Sequence, residues 1–291
     1  HRFNGRMYNT TQLSFTRYKY KLGVGQEYEY KNKEEYEREE MGMEYDSYIM
    51  DVMAQTNFEW RPNPRHEVHF GGGYTYHMFR PQVGRMGYVV EIDTTAQKMD
   101  TTFSIGRTHH THELNLYIED TYTPCHWFKM NAGLHATLYH ADGRFFPSIE
   151  PRLGMRFLPH KDVAIKMSYA YMSQYVHMLS NSSVSLPTDL WVPITSDIPP
   201  MRSMQAAVGL TYNVCNQVEL SVEGYYKKMI NLLEYKDGAS YMGGNNWESQ
   251  VCVGDGWSYG VQFLAQRKVG PVTGWIGYTW SRTMRQFDRP G

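Results

Sequence analysis

The chain has no run of about 18 apolar residues, so it holds no segment able to cross a bilayer as a helix. That leaves membrane strands open, because a strand crosses in about 10 residues and shows lipid only every second side chain. Charge of one sign is also missing. Lys plus Arg number 29 against 30 Asp plus Glu, and no basic run is interleaved with stacking aromatics, which removes nucleic acid as a partner class. Cysteine is scarce: three residues with no CxxC spacing exclude a zinc ribbon or a dithiol redox motif, and an odd count leaves at least one thiol unpaired. No nucleophile elbow, phosphate loop, HExxH or paired Ser and His arrangement occurs, so the chain reads as a non-enzyme without a cofactor. The enzyme alternative is an outer-membrane barrel with catalytic residues at its rim. No leader precedes His1, and the end at Gly291 does not resemble a natural terminus, so the chain reads as a fragment.

What is abundant is tyrosine (24) and glycine (25), set in segments that alternate apolar and polar residues with period two. Eleven strands are expected, at residues 6–20, 45–60, 66–79, 112–122, 127–139, 149–158, 163–172, 204–212, 217–227, 258–267 and 272–282. Their connections fall into two sets. Short ones rich in turn residues follow Trp60, Tyr122, Leu158, Tyr212 and Arg267. Mostly long ones cover residues 21–44, 80–111, 173–203 and 228–257, with 140–148 the shorter case. The two sets alternate, which in an up-and-down meander puts tight turns at one end and long loops at the other. Outer-membrane barrels have that asymmetry, whereas a β-sandwich mixes loop lengths at both ends.

The faces agree with a membrane. Between Arg152 and Tyr175, one side carries Leu153, Met155, Phe157, Val163, Ile165, Met167, Tyr169 and Tyr171, and the other Arg152, Arg156, Lys166 and Ser168. In residues 127–139, Met130, Ala132, Leu134, Ala136 and Leu138 oppose Lys129, Asn131, Gly133, His135 and Thr137. Lipid outside and a wet lumen inside would require this division; in a soluble sandwich the same stripe would pack on a second sheet. Trp60, Phe128 and Tyr212 lie beside short turns, and Tyr76, Tyr139, Tyr169, Tyr171, Tyr226, Tyr278 and Trp280 lie toward the long loops, as two interfacial girdles would.

Several stretches carry a family resemblance: "NTTQLSFTRYKY", "YIEDTYTP", "FFPSIEPRLGMRFLPHKDVAIKMSYAYMSQYVHMLSNSSVSLPTDLWVPIT" and "VELSVEGYYKKMINLLEYKDGASY". Together they resemble the barrel of TonB-dependent outer-membrane receptors, particularly those of the Bacteroides group. The resemblance implies an all-β, antiparallel up-and-down transmembrane barrel of 22 strands, of which residues 1–291 supply about half of one barrel domain. It further implies a plug domain not present in this chain, import of a scarce nutrient (iron chelate, haem, vitamin, glycan or peptide) into the periplasm, and an outer-membrane location in a Gram-negative cell. The partners it implies are the lipid bilayer, the protein's own plug and missing strands, the TonB-type inner-membrane energy complex and, in some relatives, a surface lipoprotein lid. An open half-barrel would leave two unpaired edges, which lipid does not tolerate. The reading from a different class is a secreted or surface-attached all-β glycan-binding module.

Candidate binding residues lie in the long connections. Tyr175, His177, Asp189 and Trp191 occupy one, and Tyr241, Asn245, Asn246, Trp247 and Trp257 another, where aromatics can stack on rings and amides can supply hydrogen bonds. The same residues can instead pack the loops over the barrel mouth. His109, His110 and His112 are a weak candidate for zinc, copper or nickel, since His110 and His112 point to one side of a strand; a polar strand end is the plainer reading. The run "KNKEEYEREE" reads as a solvated loop and "HFGGGYTY" as a strand site of curvature or close approach. Cys125 and Cys215 sit in short turns four strand spacings apart and Cys252 at the other end, so three free thiols are expected.

Overall fold

Alternation with period two puts every second side chain on one face, so a chain of such segments joined by turns folds as an antiparallel meander. The computed structural model has this form and describes residues 2–31, 36–92, 107–179, 190–215, 217–236 and 247–287. Its strands are β1 (Arg2–Asn4), β2 (Met7–Lys31), β3 (Tyr36–Asn63), β4 (His66–Ile92), β5 (His109–Cys125), β6 (Phe128–Ala141), β7 (Arg144–His160), β8 (Val163–Gln174), β9 (Val176–Leu179), β10 (Leu190–Pro193), β11 (Met201–Val214), β12 (Val218–Tyr235), β13 (Val251–Arg267) and β14 (Gly274–Phe287). Twelve form one sheet in the order β1-β2-β3-β4-β5-β6-β7-β8-β11-β12-β13-β14, and β9 pairs only with β10. The eleven expected strands are β2 to β8 and β11 to β14. The short β1 and the β9–β10 hairpin are additions.

Registers carry the alternation across the whole sheet. Tyr74, Leu114, Leu138 and Pro147 align on one row, and Phe70, Ile118, Leu134 and Pro151 on another. Further along, Ile165, Leu210, Val222, Phe263 and Tyr278 continue the same face. Ile118 (54%), Leu134 (45%), Leu210 (45%) and Phe263 (50%) are exposed, and among the described residues no second sheet covers them. A sandwich would bury this stripe, so the soluble reading fails here, and lipid is the medium that the face fits. The opposite face carries Asp51, Glu113, Asn115, Glu119, Asn131, Arg152 and Lys166.

Three expectations need correction. First, the connection at 140–148 is a two-residue turn: Ala141 pairs with Arg144, and Asp142 (φ 47°) and Gly143 (φ 75°) take the left-handed conformations of a type I′ hairpin. The alternation of short and long connections therefore breaks at that point, and Asp-Gly was the sequence signal for it. Second, half or more of each connection expected at 21–44, 80–111 and 228–257 is strand. β2 pairs with β3 as far as Lys31↔Tyr36, β3 with β4 as far as Glu37↔Ile92, and β12 with β13 as far as Tyr235↔Val251. Outside the bilayer both faces of a hairpin meet water, so the ladder continues without apolar alternation to mark it. The charge run thus lies partly in β3, and its residues 32–35 fall outside the described residues. Third, Tyr139 is not a girdle residue: it is fully buried on the inner face.

Glycines 71 to 73 sit in tight quarters between flanking strands. A Cβ at Gly71 would lie 2.3 Å from the Thr56 carbonyl oxygen, and one at Gly72 2.6 Å from Leu116 Cδ2. The close approach is therefore made by β3 and β5. All three cysteines are free thiols.

Candidate functional site

The β8–β11 connection folds back over the inner wall at the end of the sheet that holds the Asp142–Gly143 turn, opposite the turns after Trp60, Tyr122, Leu158, Tyr212 and Arg267. Tyr175 leaves β8 and stacks on Tyr139 of β6, with centroids 4.7 Å apart and planes 6° from parallel. Its hydroxyl donates to Ser148 Oγ at 2.7 Å, and Ser148 donates in turn to Glu150 Oε1 at 2.8 Å. Tyr139, buried beneath, shares a 2.8 Å hydrogen bond with Thr111. Ile194 completes this contact, and its N–H donates to the Tyr175 carbonyl at 2.9 Å. Deeper along the same wall, His77 Nδ1 lies 2.8 Å from Asp51 Oδ1 and its Nε2 3.8 Å from Glu113 Oε2, which links β3, β4 and β5.

The hairpin itself crosses the opening. β10 touches β3 and β4, and β9 touches β12. Leu179, Val192 and Ile198 pack with Trp247 and Val251, and Tyr20, Leu233 and Tyr235 lie against that cluster. Residues from β2 and from β12–β13 thereby meet through one segment. The sequence allows it because Val192, Pro193, Ile194 and Ile198 put apolar side chains within a loop that is otherwise polar. A register shift between Met229 and Leu232 of β12 turns Asn231 (φ 59°) out of the ladder, and its amide donates to the Pro200 carbonyl at 3.0 Å. This holds the returning end of the connection.

Among the described residues, two buried polar atoms of this cap have no hydrogen-bond partner: His177 Nε2 and Trp247 Nε1. Burial alone pushes His177 down to about 4, because the charged imidazolium would lie in an apolar setting without a counter-charge. Burial also raises Tyr175, with its hydrogen bond to Ser148 opposing the shift. Each unpaired buried group costs about 1–3 kcal/mol, so the closed cap is packed but weakened from within.

The candidate residues scatter over this frame. Tyr175 and His177 are buried in the cap, Trp191 is half-buried in β10, and Trp247 is buried in the short helical turn Trp247–Gln250. Trp257 shares parity in β13 with Val261 and Phe263 and so lies on the outward side. Asp189, Tyr241, Asn245 and Asn246 lie outside the described residues. The three histidines separate: His109 is buried, whereas His110 and His112 are on the outward face, bonded through Nδ1 to Tyr76 and Tyr74 at 2.6 and 2.7 Å. Among the described residues no cluster of three His, Cys, Asp or Glu side chains is arranged to hold a metal. Reading the sequence missed Tyr139 and Thr111 beneath the cap and Ile194 within it; the apolar "WVPIT" inside a long loop was the available signal.

The whole chain, residues 1–291, matches the family described as TonB dependent receptor-like, beta-barrel. The chain belongs to that family. It is a wall of an outer-membrane β-barrel. Solved structures of this architecture include the FrpB iron transporter from Neisseria meningitidis (F5-1 variant, apoprotein form), at 12% identity and TM-score 0.59, with 100% of this chain and 51% of that one covered. The RagAB peptide transporter aligns at 11% identity and TM-score 0.59, covering 98% of this chain and 35% of that one. The closed form of the ferric-catecholate import receptor Fiu from K12 E. coli aligns at 13% and 0.53, covering 96% and 48%. At such identities the likeness is one of fold. The chain spans about half or less of the length of these relatives. No curated protein matches it.

Proposed function

We propose that the intact protein is a TonB-dependent importer that captures a scarce nutrient at the cell surface and releases it into the periplasm. One observation carries the reading: within a family of outer-membrane receptors, this wall folds a hairpin, β9–β10, across its own mouth and packs it on the inner face. A transport path closed by a weakened cap suits a receptor that admits cargo in discrete events. The cap would open by giving up the Tyr139–Tyr175 stack and the cluster around Trp247. Its two unpaired polar atoms lower the cost of opening.

On this reading the missing strands close the barrel, a plug fills the lumen, and a TonB-type inner-membrane complex supplies the energy. Cargo would be held by cap and loop residues, with Tyr175, His177, Asp189, Trp191, Tyr241, Asn245, Asn246 and Trp247 as the candidates; Trp257, on the outward side of β13, is set aside. An iron chelate, haem, a vitamin, a glycan or a peptide remain the cargo classes, and a surface lipoprotein lid above the loops belongs to the same proposal. The test is uptake by cells that carry or lack the intact protein, with each labelled cargo class supplied in turn and the inner-membrane proton gradient intact or collapsed. Import of one class that needs both protein and gradient is expected. Equal uptake with the gradient collapsed would sink the energy-coupled reading.

A further inference from the structure

Near the tight-turn end of the inner wall, three cations stand side by side. Lys129 of β6 pairs in register with Arg156 of β7, and Arg156 with Lys166 of β8. Like charges directly opposite on neighbouring strands are destabilising, and a fold keeps such a row where something anionic faces it. On this wall a single carboxylate, Glu223, borders the same hollow as the three cations. Among the described residues none of the three has a carboxylate within ion-pair distance. The neighbouring acids are engaged elsewhere: Glu119 accepts from Asn131, Glu150 is bonded by Ser148 and lies 3.7 Å from Arg152, and Glu219 is 2.7 Å from Lys268. Glu223, across Gly209 from Lys166, has its Oε2 3.4 Å from where a Gly209 Cβ would lie and borders the same hollow, but as one carboxylate against three cations it leaves the row with excess positive charge.

The row also borders a hollow. Gly154, Ser168, Ala207 and Gly209 are small residues on adjacent strands, and together with the three cations and Glu223 they line a cavity of about 350 Å³ open to the lumen. A Cβ at Gly154 would meet only Asn131 Cβ, at 4.0 Å, so the floor is low for lack of side chains. A depression rimmed by cations on one side suits an inserted loop that bears carboxylates.

We infer that Lys129, Arg156 and Lys166 form the docking seat for an acidic segment of the plug, which lies outside this chain. The inference rests on the importer reading above, which supplies a plug. A resident partner fits better than passing cargo, because the repulsion within the row exists at all times and only a constant neighbour offsets it between transport events. The row lies two to six strands from the cap cluster's anchor on β2–β4 and at the opposite end of β6–β8, away from the mouth where cargo arrives.

The experiment uses the full-length receptor in planar bilayers, where displacement of a plug by urea would be read as the opening of a large pore. Lys129→Gln, Arg156→Gln and Lys166→Gln together are expected to lower the urea midpoint of pore opening by about 1 M. Lys129→Arg with Lys166→Arg, which keeps the charge, is expected to hold the midpoint at its original value. Folding of each barrel is checked by its faster gel mobility before boiling. An unchanged midpoint in the Gln variant overturns the inference while leaving the plug in place. An unchanged midpoint combined with weaker current block by hexaglutamate assigns the row to passing anions and overturns it as well. A wild-type pore that conducts fully without urea refutes the plug, and the importer reading with it.

Discussion

Replacing Tyr175 by Ala should loosen the cap without disturbing the barrel wall. The ring stacks on Tyr139 at 4.7 Å, which contributes about 1 kcal/mol beyond area burial. Its hydroxyl bond to Ser148, at 2.7 Å, adds about 1 kcal/mol, and burial of the ring about 2 kcal/mol. The sum, about 4 kcal/mol, lies in the range of 3–5 kcal/mol seen for aromatic-to-Ala changes in cores. The Ile194 amide reports the opening directly, because its bond to the Tyr175 carbonyl is a backbone bond that the substitution retains. Its hydrogen exchange in the detergent-solubilised intact protein should accelerate by roughly two to three orders of magnitude, since each 1.4 kcal/mol is tenfold. Tyr175→Phe, which loses the hydroxyl alone, should accelerate it about fivefold. Amides in the middle of β6 should be unaffected in both variants. If Ile194 exchange rises less than threefold in the Ala variant, the stack does not hold the cap and the account of the mouth is wrong.

Other outcomes follow from the same geometry. Leu134→Arg puts a charge on the lipid face at a cost of about 2–4 kcal/mol and should cut the heat-modifiable folded fraction, whereas Thr137→Lys, on the lumen face, should leave it intact. Lowering the pH should open the cap. At pH above 6.5, His177 is neutral whether closed or open; below it the opened form takes up a proton first, so the closed cap loses about 2 kcal/mol by pH 5 and about 3 kcal/mol by pH 4. Ile194 exchange measured against pH, corrected for intrinsic rates, should show this slope, and His177→Phe should abolish it. Gly143→Val forces a β-branched residue to φ 75° and should destabilise the β6–β7 hairpin by about 1–2 kcal/mol, read as a lower urea midpoint. Gly71→Ala should impair assembly more strongly, because its Cβ would press on the Thr56 carbonyl.

How much of this was legible in the sequence depends on what surrounds each segment. Inside the bilayer each face of a strand meets one medium, so residues such as Leu134 and His135 alternate and the register follows. Above the bilayer that contrast disappears. β2 and β3 run on through residues such as Glu27, Tyr28, Glu39 and Glu40, where charged and aromatic side chains carry no period that distinguishes a strand from a loop. The cap was hidden for a different reason. Tyr139 and Tyr175 are 36 residues apart in the chain and meet only because the β8–β11 connection folds back over β6, a tertiary event with no local signature. The Asp142–Gly143 turn, by contrast, had its signature in two residues and was overridden by the expectation of a long loop.

Strand length shapes what the cap can do. A tilted strand needs about 10 residues to cross the bilayer core. β6 and β11 have 14 residues and end soon after crossing, whereas β3 has 28 and at about 3.4 Å per residue reaches roughly 90 Å if straight. The rim is thus low on the β6–β11 side and high along β2–β4. The cap is anchored on the low side, where β8 ends and β11 begins, and leans across to β3 and β4, with Tyr20, midway along β2, packed against its cluster. Its anchor on the tall wall therefore lies beside the membrane, below the free ends of the hairpins, and opening requires only that the anchor release. If cargo import depends on that release, a disulfide tying β10 to β4 should stop uptake while leaving surface binding to the tall hairpins intact. Reduction should restore uptake. Uptake that continues with the tie in place would mean that cargo passes by another route.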